Sequence, residues 1–169
     1  MLEDVLKSKI ALFEEGKQTV LRGQENRYRR IVIRQGNLVV NERSEESGIC
    51  AKVYHNGVNG FASIAEYSKE AAEKVLRAAT ENADYLHKYA KNSKAALPGV
   101  SKNRMESKRF IIDFEQKKII DVCRQLDDYI AGKYPKLASR AVMYREDTME
   151  KIIYTSDASC GHVAYPRCS

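Results

Sequence analysis

The residues able to do acid–base, nucleophilic or metal chemistry in this chain are few and scattered. Its three histidines are His55, beside an Asn56-Gly57 turn, His87, inside a long helical pattern, and His162, close to the carboxy end. A water-activating zinc helix needs two His one turn apart with a Glu after the first, and no His here is followed by Glu. Cys160, His162 and Cys168 bring soft-ligand types together in the tail and are the candidate metal residues, although their spacing fits no structural zinc module. The four cysteines, Cys50, Cys123, Cys160 and Cys168, contain no C-x-x-C pair, which argues against a disulfide framework and a zinc ribbon. Reduced thiols are expected, with Cys50 and Cys123 acting as small buried hydrophobes in apolar surroundings. Gly57 and Gly60 lie on a hairpin and lack the Gly-rich turn opening a helix that cradles phosphate. Asp127-Asp128 and Glu45-Glu46 are carboxylate pairs only in sequence, because adjacent residues point to different faces, and both are expected on solvated surface. No catalytic and no cofactor-binding residue is assigned on these grounds.

The elements that would position these residues follow from periodicity. Leu2, Val5, Leu6, Ile10 and Phe13 recur at helical steps, and Gly16 is placed to end that helix. Thr19–Arg22, Tyr28–Arg34 and Leu38–Arg43 are β-branched and aromatic runs separated by Gly23 and by Gln35-Gly36-Asn37, a hairpin signal. A second hairpin joins Ile49–Tyr54 to Val58–Ser63 through His55-Asn56-Gly57. Ser68 opens a helix over about Lys69–Lys91. The polar stretch at about 92–108, containing Leu97-Pro98-Gly99, reads as a flexible connector. Phe114–Ile130 returns to helical spacing with Gly132 as its stop, and Ser139–Arg145 and Lys151–Thr155 read as strands joined around Glu146-Asp147-Thr148. A further strand can start after Gly161. The expected fold is α+β, an α/β sandwich in which two to three helices cover a largely antiparallel mixed sheet.

Length and composition exclude several classes. At 169 residues, with 43% apolar and 31% charged residues, the chain suits one folded domain rather than a collagenous or disordered segment. No apolar run approaches the roughly 20 residues of a membrane span, and the charged amino end lacks the pattern of a secretory signal, so a cytoplasmic location is expected. The net charge of +6 and the Arg27-Tyr28-Arg29-Arg30 run keep a basic nucleic-acid-binding domain as the alternative function. A solvated strand face is the simpler and preferred account of that run, as cross-strand packing is of Tyr28.

Tyr28–Leu38, followed by Ser47–Ser63, resembles the amino-terminal domain of the TldD/PmbA family, zinc metallopeptidases also described as modulators of DNA gyrase. The family-like hairpin reads G-x-x-x-x-V-x-x-N-G-x-x-G-F-A-S and carries Asn56, Gly57, Gly60 and Phe61. Ile153–Ser159, then Pro166-Arg167, is similar to the segment leading into that family's carboxy-terminal catalytic domain, with Ala158 where Gly is commoner. The resemblance implies one amino-terminal domain over 1–169, with 156–169 the start of the link to an absent catalytic domain. It implies no metal and no cofactor in this fragment, and zinc in the full-length parent, whose His-Glu-x-x-x-His helix and later cysteine ligand have no counterpart in these residues. The implied role is non-catalytic: packing on its own carboxy-terminal catalytic domain, helping to wall a cleft for peptide substrates, and joining the contacts of a homodimer or of a heterodimer with a paralogue.

Overall fold

The computed structural model describes residues 2–90 and 114–169, so the connector expected at about 92–108 lies outside the described residues. The elements run α1 (Leu2–Lys7), a 3-10 turn (Ile10–Leu12), β1 (Gln18–Arg34), β2 (Asn37–His55), β3 (Val58–Ile64), α2 (Lys69–Tyr89), α3 (Gln116–Lys133), β4 (Ala141–Thr155) and β5 (Cys160–Cys168). The five strands form an antiparallel sheet in the order β3-β2-β1-β4-β5, which is the expected α+β architecture. Reciprocal bonds between Arg145 and Ser169 fix β4 against β5 as antiparallel neighbours.

Several boundaries differ from the periodicity, among them the separate strands read at Leu38–Arg43 and Ile49–Tyr54, which are one continuous β2. The strand broken at Gly23 in the sequence reading is continuous from Gln18 to Arg34. A Cβ on Gly23 would lie 2.5 Å from Cε2 of Tyr67, so this glycine admits an aromatic ring rather than turning the chain. Glu146-Asp147-Thr148 lies inside β4 and makes no turn. There the Glu146 carboxylate accepts from Arg29 Nη2 and from Tyr144 Oη, both at 2.5 Å, which allows it a place within a strand. The first helix stops at Lys7, where Ser8 Oγ donates to the Val5 carbonyl at 2.9 Å and competes with helix continuation.

The chain divides into two compact units. Among the described residues, the first holds 2–25, 46–90 and 150–163, and the second 26–45, 114–149 and 164–169. In the first, α2 starts at Ser68, whose Oγ accepts from Ala71 N at 3.0 Å, and it buries Ala71, Ala72, Val75, Leu76, Ala79 and Ala83. These pack with Leu6, Leu21, Ile49, Ala51, Val53, Ile152 and Tyr154. The small residues on α2 let its backbone come close to β3, while Leu21, Ile49 and Val53 supply the larger buried area, each worth about 1.5–3 kcal/mol. In the second unit, α3 buries Ile119 and Cys123 against Ile31, Ile33 and Val142. Gly132 lies within this helix, which ends at Lys133 with Tyr134 N donating to the Ile130 carbonyl at 2.9 Å.

Two surface expectations fail in the second unit. Asp127 is fully buried at 0% exposure, on the inner face of α3. Its Oδ1 accepts from Arg140 Nε at 3.0 Å, and its Oδ2 is buried without a hydrogen-bond partner. Arg29 is buried too, donating to Glu146 and, at 2.9 Å, to the Phe114 carbonyl. One arginine of the basic run is therefore an internal structural cation. No helix among the described residues is long and apolar enough to cross a membrane.

Candidate functional site

The hairpin bearing Asn56, Gly57, Gly60 and Phe61 organises the first unit. Asn56 and Gly57 both take left-handed backbone, φ 46° and 89°, which the two central residues of a type I′ turn require. The turn sets β2 and β3 in a register running from His55 opposite Val58, through Val53 opposite Gly60 and Lys52 opposite Phe61, to Ile49 opposite Ile64. Gly60 then meets the helix: a Cβ there would lie 2.0 Å from the Ala79 carbonyl oxygen and 2.4 Å from Ala83 N. Its neighbour Phe61 is exposed, and its carbonyl accepts from Asn82 Nδ2 at 3.0 Å. Gly60 thus brings strand and helix backbones together, and the Asn82 bond fixes how they slide. Tyr85 and Tyr89, whose ring centroids lie 4.9 Å apart with 50° between their planes, are exposed on the same helix.

This close approach also assembles side chains that the sequence keeps far apart. His55 Nδ1 lies 3.0 Å from Asp84 Oδ1, and the His55 ring sits 4.4 Å from that of His87 with 31° between their planes. Lys17 Nζ reaches Asp84 at 2.7 Å and Glu14 at 2.8 Å. The Lys17 hydrogen bond foremost, joined by that of His55, holds the Asp84 carboxyl below its ordinary value of 3.8 against the opposing effect of burial. Burial works to lower the Lys17 pKa, but its bonds to Asp84 and Glu14 outweigh burial and leave it above 10.5. A carboxylate on Nδ1 orients the His55 ring and favours the tautomer with its lone pair on Nε2, an acid–base arrangement. The neighbouring His87 packs against that ring in a tilted arrangement. Its Nδ1 is buried and unpartnered. Sequence spacing gives no sign of the full cluster, because His55 ends β2 while Asp84 and His87 lie on α2. Only His87 and Asp84, three apart on one helix, were open to detection.

The tail residues are placed differently. Cys160 packs beside the apolar core, and His162 Nε2 is 2.6 Å from Glu150 Oε1. Cys168 is exposed. Among the described residues no group of three or more His, Cys, Asp or Glu is arranged to hold a metal ion, so these side chains do not fit a zinc centre. Nearby, burial first, then the Glu150 and Glu25 charges, holds the Tyr67 phenol well above its ordinary value. Burial likewise pushes Tyr154 up to about 12, aided by the charge of Glu3 and by its hydrogen bond to Glu3 at 3.2 Å. Burial raises the Cys50 and Cys123 thiols, as expected of structural rather than reactive cysteines.

Comparison with known proteins adds a family-model match over part of the chain. Residues 20–83 match the model of the PmbA/TldA metallopeptidase domain 1. No curated protein matches the chain. Among solved structures, the chain is similar over 99% of its length to a Thermotoga maritima protein described as a modulator of a DNA gyrase, at 17% identity and a TM-score of 0.75. A Bacteroides thetaiotaomicron protein of like description matches over 98% of the chain at 14% identity with a TM-score of 0.58. TldE from Thermococcus kodakarensis matches over 99% at 9% identity with a TM-score of 0.57. The chain spans 38% of each of these longer chains. Residues 20–83 are thus similar to the first domain of that metallopeptidase family, and the fold of nearly the whole chain is similar to that of these solved structures.

Proposed function

We propose that this chain is the non-catalytic amino-terminal domain of a longer, cytoplasmic TldD/PmbA-like metallopeptidase. It helps form the cleft for peptide substrates and contributes to dimer contacts, with itself or with a paralogue. Zinc binding and hydrolysis belong to the remaining part of such a protein. The observation that carries this reading is coverage: nearly the whole chain matches 38% of a longer fold whose first-domain model it also matches. The nucleic-acid alternative loses support from the burial of Arg29 against Glu146, since a buried, paired cation does not meet phosphate. The test is incubation of the purified chain with zinc and an unfolded protein such as reduced casein. No cleavage is expected, and hydrolysis that a chelator abolishes would overturn the reading.

A further inference from the structure

The geometry points to a specific task for β2: the outer edge of its first half accepts an extended, basic polypeptide as an added strand. All seven residues of β3 pair with the last part of β2, from His55 opposite Val58 to Ile49 opposite Ile64. On that side Asn37–Gly48 has no neighbouring strand among the described residues. From Asn37 to Ser47 every residue except Val40 is exposed, and the stretch contains no proline. Half of its backbone N–H and C=O groups therefore face outward with no strand beside them among the described residues, as strand addition requires.

Charge selects the occupant. The edge carries Glu42, Arg43, Glu45 and Glu46, three acids to one base. A second copy of the same strand is a poor match. Outward-facing residues alternate, so two copies pair antiparallel only where the opposed residue numbers sum to an even number. Registers centred on this charged stretch then set Glu42 against Glu42, or Arg43 against Arg43. The register that opposes Arg43 to Glu45 also opposes Glu42 to Glu46, cancelling its gain. A heterologous strand escapes this restriction. Glu42 and Glu46 project to one face of the sheet and Glu45 to the other, so lysines or arginines on either face of an incoming strand find a carboxylate. This rests on the peptide-handling reading above and names the surface and the charge class of the peptide.

The experiment is fluorescence anisotropy on the intact chain at low salt, with labelled ten-residue peptides of alternating Thr-Lys, Thr-Glu and Pro-Lys. The Thr-Lys peptide is expected to saturate, with the Thr-Glu peptide at least about tenfold weaker because its charges oppose the edge. The Pro-Lys peptide keeps the charge and loses the strand donors, and it too is expected to bind at least about tenfold more weakly. Replacing Glu42, Glu45 and Glu46 with Lys is expected to reverse the preference between Thr-Lys and Thr-Glu. These side chains are exposed, so circular dichroism is expected to stay unchanged; if it does not, E45K alone carries the comparison. Absence of Thr-Lys binding, equal binding of Pro-Lys, or unchanged preference in the charge variant would overturn the inference. No proteolysis enters the assay, so its failure leaves the casein result standing, and cleavage of casein leaves the binding result standing.

Discussion

Replacing Gly60 with Ala should be far more damaging than its single methyl group suggests. The added Cβ would meet the Ala79 carbonyl oxygen at 2.0 Å, Ala83 N at 2.4 Å and Ala83 Cβ at 2.9 Å. Two of these are backbone atoms, so no rotamer change relieves them. Restoring a separation near the roughly 3.5 Å optimum for heavy atoms demands that β3 and α2 part by about 1.5 Å. Overpacking a yielding core costs about 1–3 kcal/mol, and the rigid neighbours here put the cost at the top of that range or above it. Loss of the unfolded state's glycine freedom returns up to about 1 kcal/mol, leaving a net loss of about 2–3 kcal/mol. With a urea slope of about 2 kcal/mol/M, the unfolding midpoint followed by circular dichroism should fall by about 1–1.5 M. Amide exchange in α2 should accelerate in parallel. Gly132, within α3, is the control: a Cβ there meets nothing within 4 Å. Its replacement by Ala should stabilise by about 0.5–1 kcal/mol. A Gly60→Ala midpoint equal to wild type would refute the close approach on which the hairpin–helix geometry depends.

Asp127 and Arg140 should respond unequally to mutation. Arg140→Ala strands a fully buried carboxylate and should cost about 3–5 kcal/mol, whereas Asp127→Asn keeps an oxygen for Arg140 and should cost less, an order that urea unfolding will check. Lys17→Met should narrow the useful pH range of the fold. The depressed Asp84 contributes stability above 3.8 that is lost as pH falls through its folded value, and the raised Lys17 contributes below 10.5 and is lost as pH rises past its folded value. The wild-type advantage over Lys17→Met in thermal unfolding should therefore be present at neutral pH and fade at both extremes. Ala158 sits in left-handed backbone at φ 64°, so Ala158→Gly should stabilise by about 0.5–1 kcal/mol in the same melts, and a loss of stability would show that its strain is already relieved.

The sequence was most readable where local chemistry and global packing agree. Asn56-Gly57 predicts its hairpin because the positive φ values are a local demand, and Ser68 predicts its helix because the cap is made within one turn. Ala158 stood out as the place where the family more often has glycine, and its backbone supplies the reason. Misreadings arose where a residue answers to a distant partner. Gly23 looks like a strand breaker until Tyr67 is beside it, and Asp127 and Arg29 look like surface until Arg140 and Glu146 neutralise them. The β2 segment from Glu42 to Ser47 carries no alternation because both of its faces are exposed, so periodicity has nothing to register. The His55–Asp84–His87 cluster was hidden for the same reason as most sites: it is a product of tertiary approach, here the one that Gly60 permits.

Both compact units are assembled from three separate stretches of chain, with β1, β2, β4 and β5 each crossing from one to the other. No single cut can release either unit intact. During synthesis the first unit lacks its 150–163 segment until everything through residue 149 has been made, and the second waits for 164–169. Ribosome-bound intermediates must therefore hold long unpaired strands in readiness, a burden that falls on chaperones and on the charged, exposed residues of β2 that discourage premature self-association.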